Sequence, residues 1–331
     1  MKKLFGVVIA FSSLLVLSST ASALNIGYTI TGANPTQTNA FEQAVQRWES
    51  RLTDPITVNI DFSFSSMGKG IIGGTWPSLW YADFLNQESV SGVITRLALD
   101  QTSSADTAAV NYLNTLPVSG SKLSWYSNNI LHESDSIVGT SANLKALGYS
   151  GFTAADARME FNTDFAFDYD PSDGISTDKM DFVGVATHEI GHALGFISMV
   201  DYNAYYNDVV LPPSILDLYR HAETYGPGQI DISFDGRDAY FSHDDGLTEI
   251  DLSDGKYGLD GRQASHWADG LGLGIMDPTA AYGELLSMTS NDLLALDVIG
   301  WNVIPEPGTM ILLSTGLLAF AVRRRRINKN R

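Results

Sequence analysis

Two histidines four residues apart, with a glutamate directly after the first, are the groups in this 331-residue chain best placed to do chemistry: His188-Glu189-Ile190-Gly191-His192. On a helix, positions i and i+4 share one face about one turn apart, so both imidazoles can reach a single ion. Two nitrogen ligands suit a zinc site that takes a third protein ligand and keeps a fourth position for water. Glu189 then stands beside that water as general base. The reaction implied is hydrolysis of a peptide bond. Glu189 takes the water proton and returns it to the leaving amine, while the metal stabilises the developing oxyanion.

The element that must carry these groups reads as a mostly apolar helix over 181–196, with Phe182, Val183, Val185, Ala186, Ile190, Ala193 and Leu194. Thr177, Asp178 and Asp181 supply N-cap and first-turn chemistry. Gly195 stands where a glycine lets the chain turn away from a helix. The third ligand is less local. A histidine six residues after His192 would fall at position 198, which is Ser198, a poor substitute for imidazole. The six histidines are His132, His188, His192, His221, His243 and His266. His266, in Ser265-His266-Trp267, is the best candidate. Asp201 is the other, because carboxylates also bind zinc. Met276 follows ten residues after His266, in Ile275-Met276-Asp277-Pro278. A methionine in a tight turn beneath the metal marks one class of zinc protease.

HEIGHALGF, a long insertion, SHW and GIMDP together resemble the leishmanolysin-like metzincins. The resemblance covers roughly residues 160–302. It implies a zinc endopeptidase with His188, His192 and His266 as ligands, Glu189 as base, Gly195 as the turn and Met276 as the Met-turn residue. Gly195 and His266 are 71 positions apart, which fits the insertion of such proteins. The closing segment 291–301 looks like the C-terminal helix that packs under these sites. The implied fold is α+β: an upper subdomain at 24–196 with a twisted mixed sheet and the active-site helix, then a more irregular lower subdomain at 197–302. The chain departs from the family in having no cysteine, so neither its disulfides nor a cysteine that caps the zinc for latency can exist here.

Both ends carry address signals. Met1-Lys2-Lys3, an apolar run to Leu17 and Ala21-Ser22-Ala23 read as a signal peptide over 1–23. At the other end stand Pro305-Glu306-Pro307-Gly308, an apolar run over 310–322 and four consecutive arginines. The run is short for an unaided span, and the arginines mark the cytoplasmic side. Residues 303–331 resemble a PEP-CTERM sorting signal. The resemblance implies transient membrane anchoring through 310–322, an exosortase-type enzyme as partner, and export to the surface or extracellular matrix of a Gram-negative bacterium. Between leader and tail remain 12 basic and 37 acidic residues, a net charge of −25. Such a surface repels nucleic acid and anionic membranes; the protein or peptide substrate expected is the one that the metalloprotease motif implies.

Among the remaining elements, residues 24–31 read as a strand, 40–52 as a helix, and 56–64 as a strictly alternating strand. Residues 68–77 read as a loop, and 104–116 and 143–147 as helices. Residues 158–167 alternate again and are expected to form an edge strand near the cleft; the metzincin resemblance implies that such an edge receives the substrate backbone as an added strand, with 158–165 as the candidate. Asp168, Asp170 and Asp173, and the acidic glycine-rich segment 231–260, read either as solvated turns or as structural Ca2+ sites. His221 and His243 fall in the insertion and are expected at the surface. Tyr282 is the tyrosine near the Met-turn that could assist an oxyanion. An alternative to the protease is a proteolytically silent, zinc-binding surface or matrix protein.

Overall fold

The computed structural model describes residues 23–86, 88–206, 209–255 and 261–304. The expected leader, apart from Ala23, and the apolar run at 310–322 lie outside the described residues. The first half runs β1 (Asn25–Thr31), α1 (Pro35–Glu49), β2 (Thr57–Ser65), β3 (Gly73–Pro77), β4 (Leu79–Tyr81), α2 (Ala82–Asn86), α3 (Val90–Leu99), α4 (Ser104–Leu113), β5 (Val118–Ser119), β6 (Lys122–Ser127), β7 (Ile130–Ser134), β8 (Val138–Thr140) and α5 (Ser141–Ala146). Then follow β9 (Ala157–Asn162), β10 (Phe167–Asp168), β11 (Met180–Asp181), α6 (Phe182–Leu194), α7 (Met199–Tyr206), β12 (Arg220–Ala222), β13 (Ala239–Phe241), β14 (Ile250–Leu252) and α8 (Ser290–Val298). The arrangement is mixed α+β, with several small sheets.

The sheet that carries the site has the order β1-β2-β9-β3. The first three strands are parallel and β3 is antiparallel to β9. Alternation decides which face is buried: Val58, Ile60 and Phe62 of β2 point inward. Phe41 of α1 stacks on Phe62 with ring centroids 3.9 Å apart, and Phe161 of β9 meets Phe182 of α6 at 4.9 Å. Helix α1 begins where Asn34 and Gln37 form a capping box and Pro35 opens the first turn. Its Trp48 indole donates to the Thr187 carbonyl at 2.9 Å, tying α1 to α6.

Several expectations need correction. The 158–167 segment is not an edge: β9 lies between β2 and β3. The edge beyond β9 is β3, inside the stretch that reads as a loop. Its glycines look like turn residues, but Gly73 is there for contact. A Cβ at that position would lie 3.1 Å from Glu189 Oε1 and 3.3 Å from both Phe161 and Val185. The insertion is also more ordered than its sequence suggests. It forms α7 and the three-stranded sheet β12-β13-β14. His221 and His243 are buried rather than at the surface. His221 sits on β12 with its two ring nitrogens facing the Gln229 and Ser242 carbonyls at 3.1 and 3.2 Å, and the neutral ring donates to one of them.

Helix α8 closes the base of the molecule. The Trp301 indole donates to the Leu194 carbonyl, Tyr219 donates to Val298 and Asn143 donates to Ile299, at 2.8, 2.8 and 2.7 Å. Beside it Asp54, Asp100, Asp106 and Asp297 crowd together. Ser103 donates to Asp297 and Asn302 donates to Asp54 and Asp100, while Asp297 Oδ1 is buried without a partner. Burial, with repulsion from Asp54 and Asp106, pushes Asp100 and Asp297 up to about 7. Through these two groups the fold binds more protons than the unfolded chain between about pH 4, the ordinary aspartate range, and pH 7. The cluster's stabilisation is complete below that window and is lost as pH rises through 7. His192, His221 and His266 have pKa values lowered by desolvation and pull the opposite way in acid, so a difference between variants isolates the cluster. Asp297→Asn is expected to melt several degrees above the wild type at pH 8 but not above it at pH 4. Thermal melts at the two pH values check this.

Candidate metal centre

Helix α6 starts at Asp181, whose Oδ1 accepts from the Gly184 N–H at 2.8 Å and whose Oδ2 accepts from Leu286 at 3.1 Å. It stops at Gly195, where φ is 123° and a side chain would press on Asn143 and Ile299. Apart from the two histidines the helix is buried, so it is a rod fixed from all sides. Met276 is fully buried beneath it. A Cβ at Gly191 would collide with the Met276 sulfur, so the glycine between the two histidines is what lets the methionine turn approach.

His266 arrives after β14. Its loop is held by the Leu252–Trp267 bridge, by the Ser253 N–H donating to the His266 carbonyl at 3.1 Å, and by the Trp267 N–H donating to Met276 at 3.0 Å. The three imidazoles then face one another. Nε2 of His192 lies 3.1 Å from that of His188 and 3.2 Å from that of His266, and His266 and His188 are also 3.2 Å apart. Each Nδ1 points at a backbone carbonyl: His188 at Ile275 (2.8 Å), His192 at Phe196 (2.7 Å) and His266 at Gln263 (3.0 Å).

These contacts decide the protonation. A carbonyl only accepts, so each Nδ1 carries the proton, and in the neutral ring each Nε2 is a bare lone pair. Three lone pairs meeting at such distances repel unless a cation lies between them. Burial, and next a charge on His188, holds His192 down to about 3, and burial puts His266 well below the ordinary range, so these two rings do not supply the cation as protons. A metal ion fits better. Tetrahedral binding at about 2.0–2.1 Å sets nitrogens about 3.3 Å apart, close to the observed spacing. Carbonyl-bound Nδ1–H groups are the usual outer support of metal-binding histidines. Among the described residues these three are the one gathered group of three such side chains.

Glu189 is buried at 5% exposure. Its Oε2 accepts from the Thr75 hydroxyl of β3 at 2.7 Å. Burial raises its pKa, opposed by the charge of His188 and by Thr75. Asp201, the alternative ligand, is not in the group. Its carboxylate accepts from Ala264 N–H, Ser265 N–H and the Ser265 hydroxyl at 2.7, 3.0 and 2.6 Å. Tyr282 is half exposed and tilts toward Phe165. In the acidic turn, Asp168 accepts from Ser176 and Asp170 from Ser172, so these carboxylates cap their own loop.

Sequence reasoning missed Thr75, Gly73 and Asp292. Asp292 accepts from the Trp267 indole (2.8 Å) and from the N–H groups of Ile275 (2.8 Å), Met276 (3.2 Å) and Thr289 (2.7 Å). It thus ties the His266 loop, the methionine turn and the start of α8 together. Thr289 and Asp292 also form a capping box, the local pattern that could have pointed to Asp292. Each buried donor left without an acceptor costs about 1–3 kcal/mol. Asp292→Ala is therefore expected to destabilise the fold by at least about 3 kcal/mol, read from the denaturant midpoint at unchanged slope.

Residues 303–326 match the PEP-CTERM protein-sorting motif. The motif implies export and sorting to the cell surface in Gram-negative bacteria, and it is consistent with recognition by an exosortase-type sorting enzyme. No curated protein matches the chain. Among the described residues, no helix is long and apolar enough to cross a membrane.

Proposed function

We propose that this protein is an exported zinc-dependent endopeptidase of metzincin type. One observation carries the reading: three bare imidazole nitrogens converge within 3.2 Å of one another on the helix that also bears the buried carboxylate of Glu189. A zinc ion held by His188, His192 and His266 would polarise a substrate carbonyl and lower the pKa of a coordinated water to about 7. Glu189 Oε1, the carboxylate oxygen that Thr75 does not hold, takes the water proton and delivers it to the leaving amine. The hydroxyl of Thr75 keeps the carboxylate in one orientation meanwhile. Strand β3 has a free edge in its sheet, beside α6, where an extended peptide could add as a further strand. Met276 under Gly191 supports the metzincin comparison.

The alternative, a zinc-binding matrix protein without activity, has no use for a buried carboxylate poised by a hydroxyl. A peptide library incubated with the protein separates the two. The protease produces new N-termini inside the peptides, detected by mass spectrometry. A protein that carries zinc yet generates none would be the silent one.

A further inference from the structure

Position 198, where a nearby third histidine would stand, is Ser198, and it is not idle. Its N–H donates to the Ser265 hydroxyl oxygen at 2.9 Å. That hydroxyl donates onward to Asp201 Oδ2 at 2.6 Å, and Asp201 also takes the N–H groups of Ala264 and Ser265. The start of α7 is itself fixed, because Asp217 accepts from the Ser198 hydroxyl and the Met199 N–H at 2.6 and 2.8 Å. Arg220, buried beneath the same loop, donates to the Ser253 and Ala264 carbonyls at 2.9 and 3.5 Å and lies in the field of Asp201 and Asp217. The two residues before His266 are thus held by groups on the helix that follows the histidine pair.

We propose that Asp201 is the positioning residue for the third ligand: it docks the far end of the insertion onto α7 so that His266 stands in the metal centre. This rests on the reading that the three histidines bind a metal. The physical need is plain. A ligand carried in from 74 residues away is brought back at an entropic cost that grows with the loop, and a single imidazole–metal bond would leave its direction loose. Three hydrogen bonds to one carboxylate, aimed at consecutive peptide groups, set both place and direction before any ion arrives. The arrangement also explains why a carboxylate so near the site is not a ligand, since its oxygens are turned to the loop.

The test uses the full-length protein and no turnover. Zinc affinity is measured by competition with a chromophoric chelator, and the visible spectrum is recorded with Co2+ in place of zinc. For Asp201→Asn the expected result is a 10–100-fold loss of affinity, the range for outer supports of a metal site, with a Co2+ spectrum altered toward fewer nitrogen ligands. Ser265→Ala, which removes one of the three bonds and is the milder change for folding, is expected to shift both readings the same way by less. Wild-type affinity and spectrum in both variants would overturn the proposal. If the wild type itself takes up neither ion, the metal reading fails instead, and the inference falls with it.

Discussion

Replacing Glu189 by glutamine is expected to leave zinc binding unchanged and to lower peptide hydrolysis by about 10²–10⁴-fold, the usual contribution of a positioned general base. The two side chains are nearly the same size, and Gly73 and Thr75 of β3 leave room for one at this place. The Thr75 hydroxyl can still donate to the amide oxygen, so the side chain keeps its seat. What is lost is a group that can accept and release a proton. Because Glu189 is not among the three gathered histidines, the metal should not notice the change. The check is zinc content and casein hydrolysis on one preparation. Lost zinc would make Glu189 part of the coordination, and retained hydrolysis would place the base elsewhere.

The second large effect concerns His266. Its alanine variant is expected to lose at least about 100-fold in zinc affinity, more than the removal of an outer support costs. The same substitution should not harm the empty protein, because it removes one of three mutually repelling lone pairs. Thermal melts with and without zinc separate these statements. Ligand binding to the folded state alone stabilises by RT ln(1 + [L]/Kd), about 4 kcal/mol at a thousandfold excess over Kd. The wild type should therefore melt markedly higher with zinc, and His266→Ala should show little or no rise. An equal rise in both would remove His266 from the centre.

The helix of the two histidines was legible because its information is local: helical spacing of apolar residues, Asp181 before it and Gly195 after it. The strand over 56–64 was legible for the same reason, since period-two alternation survives in any sheet with one buried face. Strand order was not. Alternation in β9 says which side chains go inward, not which strand lies alongside, so an interior strand read as an edge. The stretch around Gly73 read as a loop because the reason for that glycine is a carboxylate and a phenylalanine distant in sequence. His221 and His243 read as surface because their polarity was visible and their buried surroundings were not. His266 could be named from the resemblance, but that it gathers with His188 and His192 could not be read from sequence spacing. Only the folded chain places Asp201 against Ala264 and Ser265 instead of against the imidazoles.

The most direct test of the central claim is casein hydrolysis by one preparation in three states: as zinc-loaded protein, after removal of the metal by a chelator, and after return of one equivalent of zinc. The account predicts cleavage, then none, then recovery, with the three-histidine centre responsible for the difference. Cleavage that survives complete removal of the metal would contradict it.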